Sequence, residues 1–146
     1  MLTEVITVLN HEAEKRGVTI DVQPPPHPQF AQAAFVVAAS KEALHDIFSN
    51  LLLNALEASP NGGQIEIAMQ ATNGFCELTI TDDGTGIPAD LQQKILQPFF
   101  TTKTQGTGLG LTIVTRRLSE ISGTLTFQSP TKNGAGTKCT VKLTQL

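Results

Sequence analysis

Residues 64–71 and 75–81 are two segments in which apolar and polar side chains alternate, with Asn73-Gly74 between them. An Asn-Gly pair in that setting is the strongest short-range signal for a β-hairpin, because both residues accept the positive φ of a type I′ turn. A hairpin excludes an all-helical fold and fixes one antiparallel pair of strands with an apolar and a polar face. The apolar face of the second strand carries Cys76, Leu78 and Ile80.

Helices and strands are intermixed along the rest of the chain. Apolar spacing predicts helices at 3–16, from the N-cap Ser40 to Pro60, and at 107–121, with a short helix after Pro88. Strands are predicted at 18–22, near 35–37, at 123–129 and at 137–144. This order indicates an α+β chain of the α/β-sandwich type, in which one mixed sheet carries helices on one face.

Length and composition narrow the class of protein. The chain has 146 residues, 40% of them apolar and 16% charged, which is typical of one globular domain. A net charge of −3 gives no positive field to attract nucleic acid or an anionic membrane. The longest apolar run, near 51–53, is far too short to span a bilayer. Two cysteines fit neither a disulfide framework nor a zinc pattern. We expect a cytoplasmic domain with no nucleic-acid partner and no direct membrane contact.

The first of three polar patches lies on the long central helix. Asn50, Asn54 and Glu57 are four and three residues apart, so they share one helical face. A carboxamide oxygen is a ligand that suits Mg²⁺. Taken alone, the pattern is better explained as a solvated helix face.

The second patch, Asp82-x-Gly84-x-Gly86-Ile87, directly follows the second hairpin strand. An ionised Asp only accepts hydrogen bonds, so at a strand end it suits an exocyclic amine such as that of adenine. The glycines permit a tight turn and close backbone approach. A plain strand-to-helix turn with an Asp cap explains the pattern nearly as well.

The third patch, Gly106-Thr107-Gly108-Leu109-Gly110-Leu111, opens the last helix. Exposed backbone N–H groups and the positive end of a helix favour phosphate. No βαβ unit precedes the patch to support a dinucleotide fold, and no Gly-Lys-Ser/Thr makes it a P-loop. The preceding segment, Pro98-Phe99-Phe100-Thr101-Thr102-Lys103, offers an aromatic anchor and one cation.

In their order and spacing, these patches resemble the N, G1, F and G2 boxes of sensor histidine kinases, and Gly134-Ala135-Gly136-Thr137 resembles the last glycine box. The resemblance is to their catalytic ATP-binding domain and covers nearly the whole chain. It implies a Bergerat fold, which is a mixed, mainly antiparallel five-stranded sheet with about three helices on one face. The very short segment between Phe100 and Gly106 resembles the short-lid branch typified by nitrogen-regulation and oxygen-sensing kinases.

The resemblance implies ATP and Mg²⁺ as ligands and assigns roles position by position. Asn54 resembles the Mg²⁺ ligand, and Asn50 resembles the polar catalytic residue one turn earlier. Asp82 resembles the residue that holds adenine N6, and Thr137 resembles the threonine that supports it. The implied nucleotide-binding set is Asn50, Asn54, Asp82, Gly84, Gly86, Ile87, Phe100, Thr101, Thr102, Lys103, Gly106, Thr107, Gly108, Leu109, Gly110, Leu111 and Thr137.

One position departs from the family pattern. Glu57 stands where many members carry a basic residue near the phosphates. Lys103 is the candidate to supply that charge instead.

Kinases of this family transfer the γ-phosphoryl group of ATP to a histidine on a separate dimerisation domain, which serves a response regulator. His11-Glu12 imitates the phosphoacceptor motif, but no Asn-Pro or Thr-Pro follows it. Residues 1–146 are therefore predicted to be the catalytic and ATP-binding domain alone, monomeric when isolated. Residues 2–9 are predicted to continue a linker from the missing dimerisation domain.

Two other activities share this fold. An ATP-hydrolysing module of the gyrase, chaperone or mismatch-repair type needs a general base, usually a Glu four residues before the Mg²⁺ Asn. Asn50 stands there and cannot take a proton at neutral pH. An anti-sigma-type serine kinase also usually has an acidic residue at that place, and lacks the Phe-Phe-Thr-Thr-Lys segment. The sequence favours the histidine kinase.

Overall fold

The computed structural model describes residues 1–26, 35–97, 109–131 and 135–146. Its helices are α1 (Leu2–Lys15), α2 (Lys41–Ala58), α3 (Gly110–Glu120) and a short 3-10 helix (Lys94–Leu96). Its strands are β1 (Thr19–Val22), β2 (Gln64–Thr72), β3 (Phe75–Asp82), β4 (Thr124–Gln128) and β5 (Thr137–Thr144).

The strands form one five-stranded sheet in the order β1-β2-β3-β5-β4. Strand β1 pairs parallel to β2, and α2 provides the crossover that a parallel pair requires. The other pairs are antiparallel. Between β2 and β3, Asn73 and Gly74 have φ of 49° and 81°, as a type I′ turn demands. The predicted fold class and hairpin are confirmed.

The predicted helix boundaries follow from local chemistry. Ser40 caps α2, since its Oγ accepts a hydrogen bond from the Ala43 N–H at 3.1 Å. Gly17 follows the end of α1 with φ of 64°, a conformation that favours glycine. No helix in the described part of the chain is long and apolar enough to cross a membrane.

The core lies between one face of the sheet and the helices. On β3, alternate residues are buried, and the last of them is Asp82 rather than an apolar residue. In the same buried row, Asp82 is flanked by Ile65 of β2 and Thr137 of β5. Burial, and then the charge of Asp82, raise the pKa of the Cys139 thiol to about 12, so it packs as a small apolar group. The most buried large side chains are Val5, Ile47, Leu52, Leu56, Ile65, Ile67, Val114 and Val141.

Three sequence predictions need correction. The helix predicted after Pro88 is a series of tight turns, because Leu91 and Lys94 each donate to a carbonyl three residues earlier, and only Lys94–Leu96 is a 3-10 helix. The strand predicted near 35–37 is a single bridge from Val37 to Gln145. The helix predicted from 107 begins at Gly110, and residues 107 and 108 lie outside the described ranges.

Candidate nucleotide-binding site

Asp82 ends the buried row of β3, and the residue is only 7% exposed. The Gly84 N–H donates to its Oδ1 at 2.8 Å, and the backbone N–H of Thr137 also bonds the carboxylate. Burial raises the pKa of Asp82 above its ordinary 3.8, the two N–H groups lower it, and the neighbouring Asp83 raises it again. A buried charge that its own hydrogen bonds do not fully offset is typical of a functional site.

The loop after Asp82 is packed between α2 and the sheet. A Cβ on Gly84 would lie 2.6 Å from the carbonyl oxygen of Ala58, the last residue of α2. On the other side, the Gly136 N–H donates to the Gly84 carbonyl at 2.8 Å. Gly86 has a positive φ of 79°, so both glycines are required by the backbone path.

The first and third sequence patches meet where α2 crosses α3. A Cβ on Gly110, the first residue of α3, would lie 3.3 Å from Asn50 Oδ1 and 3.7 Å from Asn54 Oδ1. The Asn50 side-chain amide donates to the Asp46 carbonyl within its own helix at 2.7 Å. That bond turns the Asn50 oxygen toward the start of α3. Two carboxamides therefore face the positive end of a helix across a gap that a side chain at position 110 would narrow.

An ion pair ties the same two helices together further along. Two guanidinium nitrogens of Arg117, Nε and Nη2, lie 2.8 Å from Asp46 Oδ2, and Nη1 lies 3.1 Å from Glu120 Oε2. Glu120 and Asp46 raise the pKa of the Arg117 guanidinium, so it stays charged. Asp46 lies one turn before Asn50, and Arg117 lies two turns after Gly110. The pair therefore adds a polar contact between α2 and α3 close to the amide face of α2.

A family model described as histidine kinase-, DNA gyrase B- and HSP90-like ATPase matches residues 39–145. The chain belongs to this ATPase family. Sporulation kinase A of Bacillus subtilis (strain 168) is 28% identical over 138 residues, which are 94% of this chain and 22% of that kinase. The signal transduction histidine-protein kinase AtoS of Escherichia coli (strain K12) is 38% identical over 100 residues, which are 68% of this chain and 16% of that kinase.

A solved structure extends the likeness to the fold of this ATPase domain. The catalytic domain of histidine kinase ThkA, in a nucleotide-free form, superimposes with a TM-score of 0.84 at 26% identity, covering 99% of this chain and 90% of that one. The resemblance to sensor histidine kinase catalytic domains is therefore confirmed. The chain spans about a fifth of the length of the two curated kinases, 22% and 16%.

The remaining predicted residues of the ATPase domain fall into two groups. Ile87 is in the loop after β3, Thr137 is buried at the start of β5, and Leu109 and Leu111 flank Gly110 at the start of α3. Glu57 is exposed in the last turn of α2. The others lie outside the described residues, and these are Phe99, Phe100, Thr101, Thr102, Lys103, Gly106, Thr107, Gly108 and Gly134.

Sequence reasoning missed two groups of residues beside this site. The Asp46–Arg117 pair was signalled only by helical spacing from Asn50 and Gly110. Ser129, directly after β4, was signalled only by being polar and directly before Pro130, and its Oγ lies 2.6 Å from the Ile87 backbone nitrogen. Neither signal distinguishes these residues from ordinary surface residues.

A concavity of about 320 Å³ opens at the end of the sheet beside Asp82. Its lining residues are Gln64, Glu66, Thr81, Asp82, Asp83, Thr131, Ala135 and Gly136. It includes Asp82 and Gly136 but neither Asn50 nor Gly110, so it adjoins the candidate site at the end of β3 and does not reach the amides of α2. Among the described residues, no three His, Cys, Asp or Glu side chains are grouped so as to hold a metal ion.

Proposed function

We propose that this chain is the catalytic ATP-binding domain of a sensor histidine kinase, which binds Mg-ATP and donates its γ-phosphoryl group to a histidine on a separate dimerisation domain. The observation that carries the proposal is where the structure places residues of the three polar sequence patches. The buried Asp82 carboxylate lies at the end of β3, while Asn50 and Asn54 face Gly110 at the start of α3. Family membership and the sensor-kinase relatives support the same function.

We call the part of the site around Asp82 the base side. There, the Asp82 carboxylate is suited to accept a hydrogen bond from the exocyclic amine of adenine. While ionised, the carboxylate has no proton to donate, so it would repel the carbonyl oxygen that guanine carries at the same position. Gly84 and Gly86 let the backbone approach the base closely, and Ile87 and Thr137 complete this side.

We call the part of the site formed by Asn50, Asn54 and Gly110 the phosphate side. Its residues fit a hydrated Mg²⁺ and a triphosphate. Asn54 is the proposed metal ligand, because an amide oxygen is a hard, neutral donor and Mg²⁺ takes its other ligands from water and phosphate. The glycine at 110 keeps the space beside both amides open. When bound, the metal and nucleotide supply the reactive phosphoryl group and the charge that neutralises it.

Asn50 separates the proposed kinase from an ATP-hydrolysing module. Its amide nitrogen already donates to the Asp46 carbonyl, and a carboxamide takes no proton from water at neutral pH. The site would therefore hold ATP for an external nucleophile rather than activate water. The domain accelerates transfer mainly by positioning and charge stabilisation.

The proposed partners follow from this assignment. Residues 1–146 form the catalytic domain, with residues 2–9 as the end of a linker helix, and the phosphoacceptor histidine lies on a dimerisation domain that passes the phosphoryl group to a response regulator. His11 is exposed on α1 and is not proposed to be that histidine. We further propose that the domain is monomeric by itself and works in the cytoplasm.

Calorimetry of the purified chain with Mg-ATP and Mg-GTP tests the proposal. Binding of ATP with little binding of GTP is expected, and equal affinity for the two would contradict the role of Asp82. A phosphate-release assay on the same sample should show negligible ATP hydrolysis. Turnover at the rate of a gyrase-type ATPase would instead place the chain in the hydrolysing class.

A further inference from the structure

We infer that Ser129 is a positioning residue that holds the base side of the nucleotide site in its binding conformation, an inference that rests on the proposed function. Ser129 directly follows β4, the strand that pairs with β5 at the edge of the sheet. Its hydroxyl contacts two segments that carry proposed base-side residues, the loop after β3 and the start of β5, and Ser129 is not one of those residues itself.

The Ser129 hydroxyl makes every hydrogen bond that a serine hydroxyl can make, one as donor and two as acceptor. Its Oγ accepts from the Ile87 N–H at 2.6 Å and from the Thr137 hydroxyl at 3.4 Å, and donates to the Gly136 carbonyl at 2.9 Å. A serine hydroxyl has one proton to donate and two lone pairs to accept with. All three are directed at the loop after β3 or the start of β5, so the hydroxyl links those two segments.

The contact with the loop is also close in space. A Cβ on Gly86 would lie 2.9 Å from Ser129 Oγ, so the loop backbone rests directly on the hydroxyl. Gly86 has the positive φ that turns the chain at this point. The hydroxyl therefore fixes both the position of the turn and the direction of the Ile87 N–H.

A second side chain holds the same segment from the other side. Gln92 Nε2 donates to the Ile87 carbonyl at 3.1 Å and to the Ser129 carbonyl at 2.9 Å. The N–H and the carbonyl of Ile87 are thus each bonded to a different side chain. The segment around Ile87 is therefore attached to the end of β4 through two side chains.

Loss of the Ser129 hydroxyl should weaken binding of the base and leave binding of the phosphates unchanged. Ser129→Ala removes the acceptor for Ile87 and the donor for Gly136, and both are polar backbone groups. The loop can then move relative to Asp82 and Thr137. Asn54 and Gly110 lie on α2 and α3, which Ser129 does not contact through any of these bonds.

The experiment titrates the whole chain with ATP, GTP and inorganic triphosphate, each with Mg²⁺, by calorimetry. For Ser129→Ala we expect ATP affinity to fall about tenfold and the preference for ATP over GTP to shrink, with triphosphate affinity unchanged. Ser119→Ala is the matched control, because Ser119 is exposed and its hydroxyl donates to the Arg116 carbonyl within α3.

Two results would overturn the inference: an unchanged ATP affinity and ATP:GTP preference in folded Ser129→Ala, or equal losses for ATP and triphosphate. Should circular dichroism show that this variant does not fold, Gln92→Ala decides by the same criteria, since it removes the second attachment of Ile87. Failure of the unsubstituted chain to bind ATP would count against the proposed function, and the titration of that chain reveals it separately.

Discussion

The two sides of the candidate site are built by different means. On the base side, backbone N–H groups, carbonyls and one serine hydroxyl connect the ends of β3, β4 and β5. On the phosphate side, two helices meet through a glycine and an ion pair. In the proposed function, recognition of the base would therefore depend on the ends of the sheet strands, whereas the position of the phosphates would depend on how α3 packs on α2.

The largest expected effect is that of Gly84→Ala on the base side. Its Cβ would lie 2.6 Å from the Ala58 carbonyl oxygen and 2.7 Å from Asp82 Oδ1, and the first of these is backbone that cannot move alone. We expect a loss of about 2–3 kcal/mol in the free energy of unfolding, the usual cost of overpacking, together with loss of ATP binding. Urea denaturation and calorimetry measure the two.

The neighbouring substitution Thr85→Ala serves as the control, because Thr85 is exposed in the same loop. It should leave both quantities nearly unchanged. Normal stability and ATP binding in Gly84→Ala would show that the base side is looser than its contacts indicate.

Asp82→Asn should change ATP affinity and the free energy of unfolding in opposite directions, because it should weaken ATP binding and stabilise the fold. We expect ATP affinity to fall by about a hundredfold, because an amide cannot reproduce a charged acceptor for the adenine amine. Since the pKa of Asp82 is raised above its ordinary 3.8, the native state takes up its proton more readily than the unfolded state. The carboxylate thus costs stability that increases as pH rises through the interval between the ordinary and the raised pKa.

The variant should accordingly be more stable than the natural sequence at pH 7, and this advantage should disappear as the pH falls toward 3.8. Urea denaturation of both proteins across that pH range tests the sign of this difference in stability. Asp83→Asn is the comparison variant, since an amide oxygen can still accept from the Gln64 N–H, which lies 3.0 Å from Asp83 Oδ2. It removes only the charge of Asp83, the smallest contribution to the raised pKa of Asp82, so its gain in stability at pH 7 should be much smaller. A less stable Asp82→Asn at neutral pH would mean that the two backbone bonds outweigh the burial of charge.

On both sides of the site, the sequence predicts local patterns but not the contacts between distant segments. The hairpin, the Ser40 cap and the buried row that ends in Asp82 are local patterns, readable from a spacing of two to four residues. The Ser129 bond to Ile87 joins positions 42 apart, and the Arg117 bond to Asp46 joins positions 71 apart. Such contacts arise only when strands and helices pack, so periodicity could not reveal them.

The same reasoning explains the elements that were wrong. Near Pro88, the sequence has helical residue types, but the segment is held by Gln92 to Ile87 and Ser129 and forms tight turns instead. The bonds that decide this conformation are again contacts with another part of the fold. The roles of Asn50, Asn54, Asp82 and the other site residues stay predictions that binding measurements must test.

Gly110→Ala is the phosphate-side counterpart of Gly84→Ala. Its Cβ would lie 3.3 Å from Asn50 Oδ1, which is a side-chain atom that can shift by a few tenths of an ångström. We expect Mg-ATP affinity to fall about tenfold while the free energy of unfolding stays the same or rises by up to about 1 kcal/mol, because Ala favours a helix over Gly. Calorimetry and urea denaturation again give both values. Equal losses of stability in the two glycine variants would remove the contrast between the sides.

The smallest expected effect is that of Arg117→Gln, which removes the ion pair between α3 and α2. Asp46 and Arg117 are each about one-third exposed, with side-chain exposures of 35%, so water and salt screen their attraction. We expect Mg-ATP affinity to fall by no more than about twofold, because packing around Val114 and Leu118 still holds α3 in place. The difference from the natural sequence should shrink further in high salt.

Arg116→Gln is the matched control for that substitution. The Arg116 side chain is 80% exposed and its ion pair is with Glu120 on its own helix, so its removal should leave ATP affinity unchanged at any salt concentration. A tenfold loss for Arg117→Gln that persists in high salt would show that the ion pair, and not the apolar packing of α3, sets the distance between Gly110 and the two asparagines. The phosphate side would then be held by specific polar bonds just as the base side is, and the two halves of the site would differ only in which elements carry them.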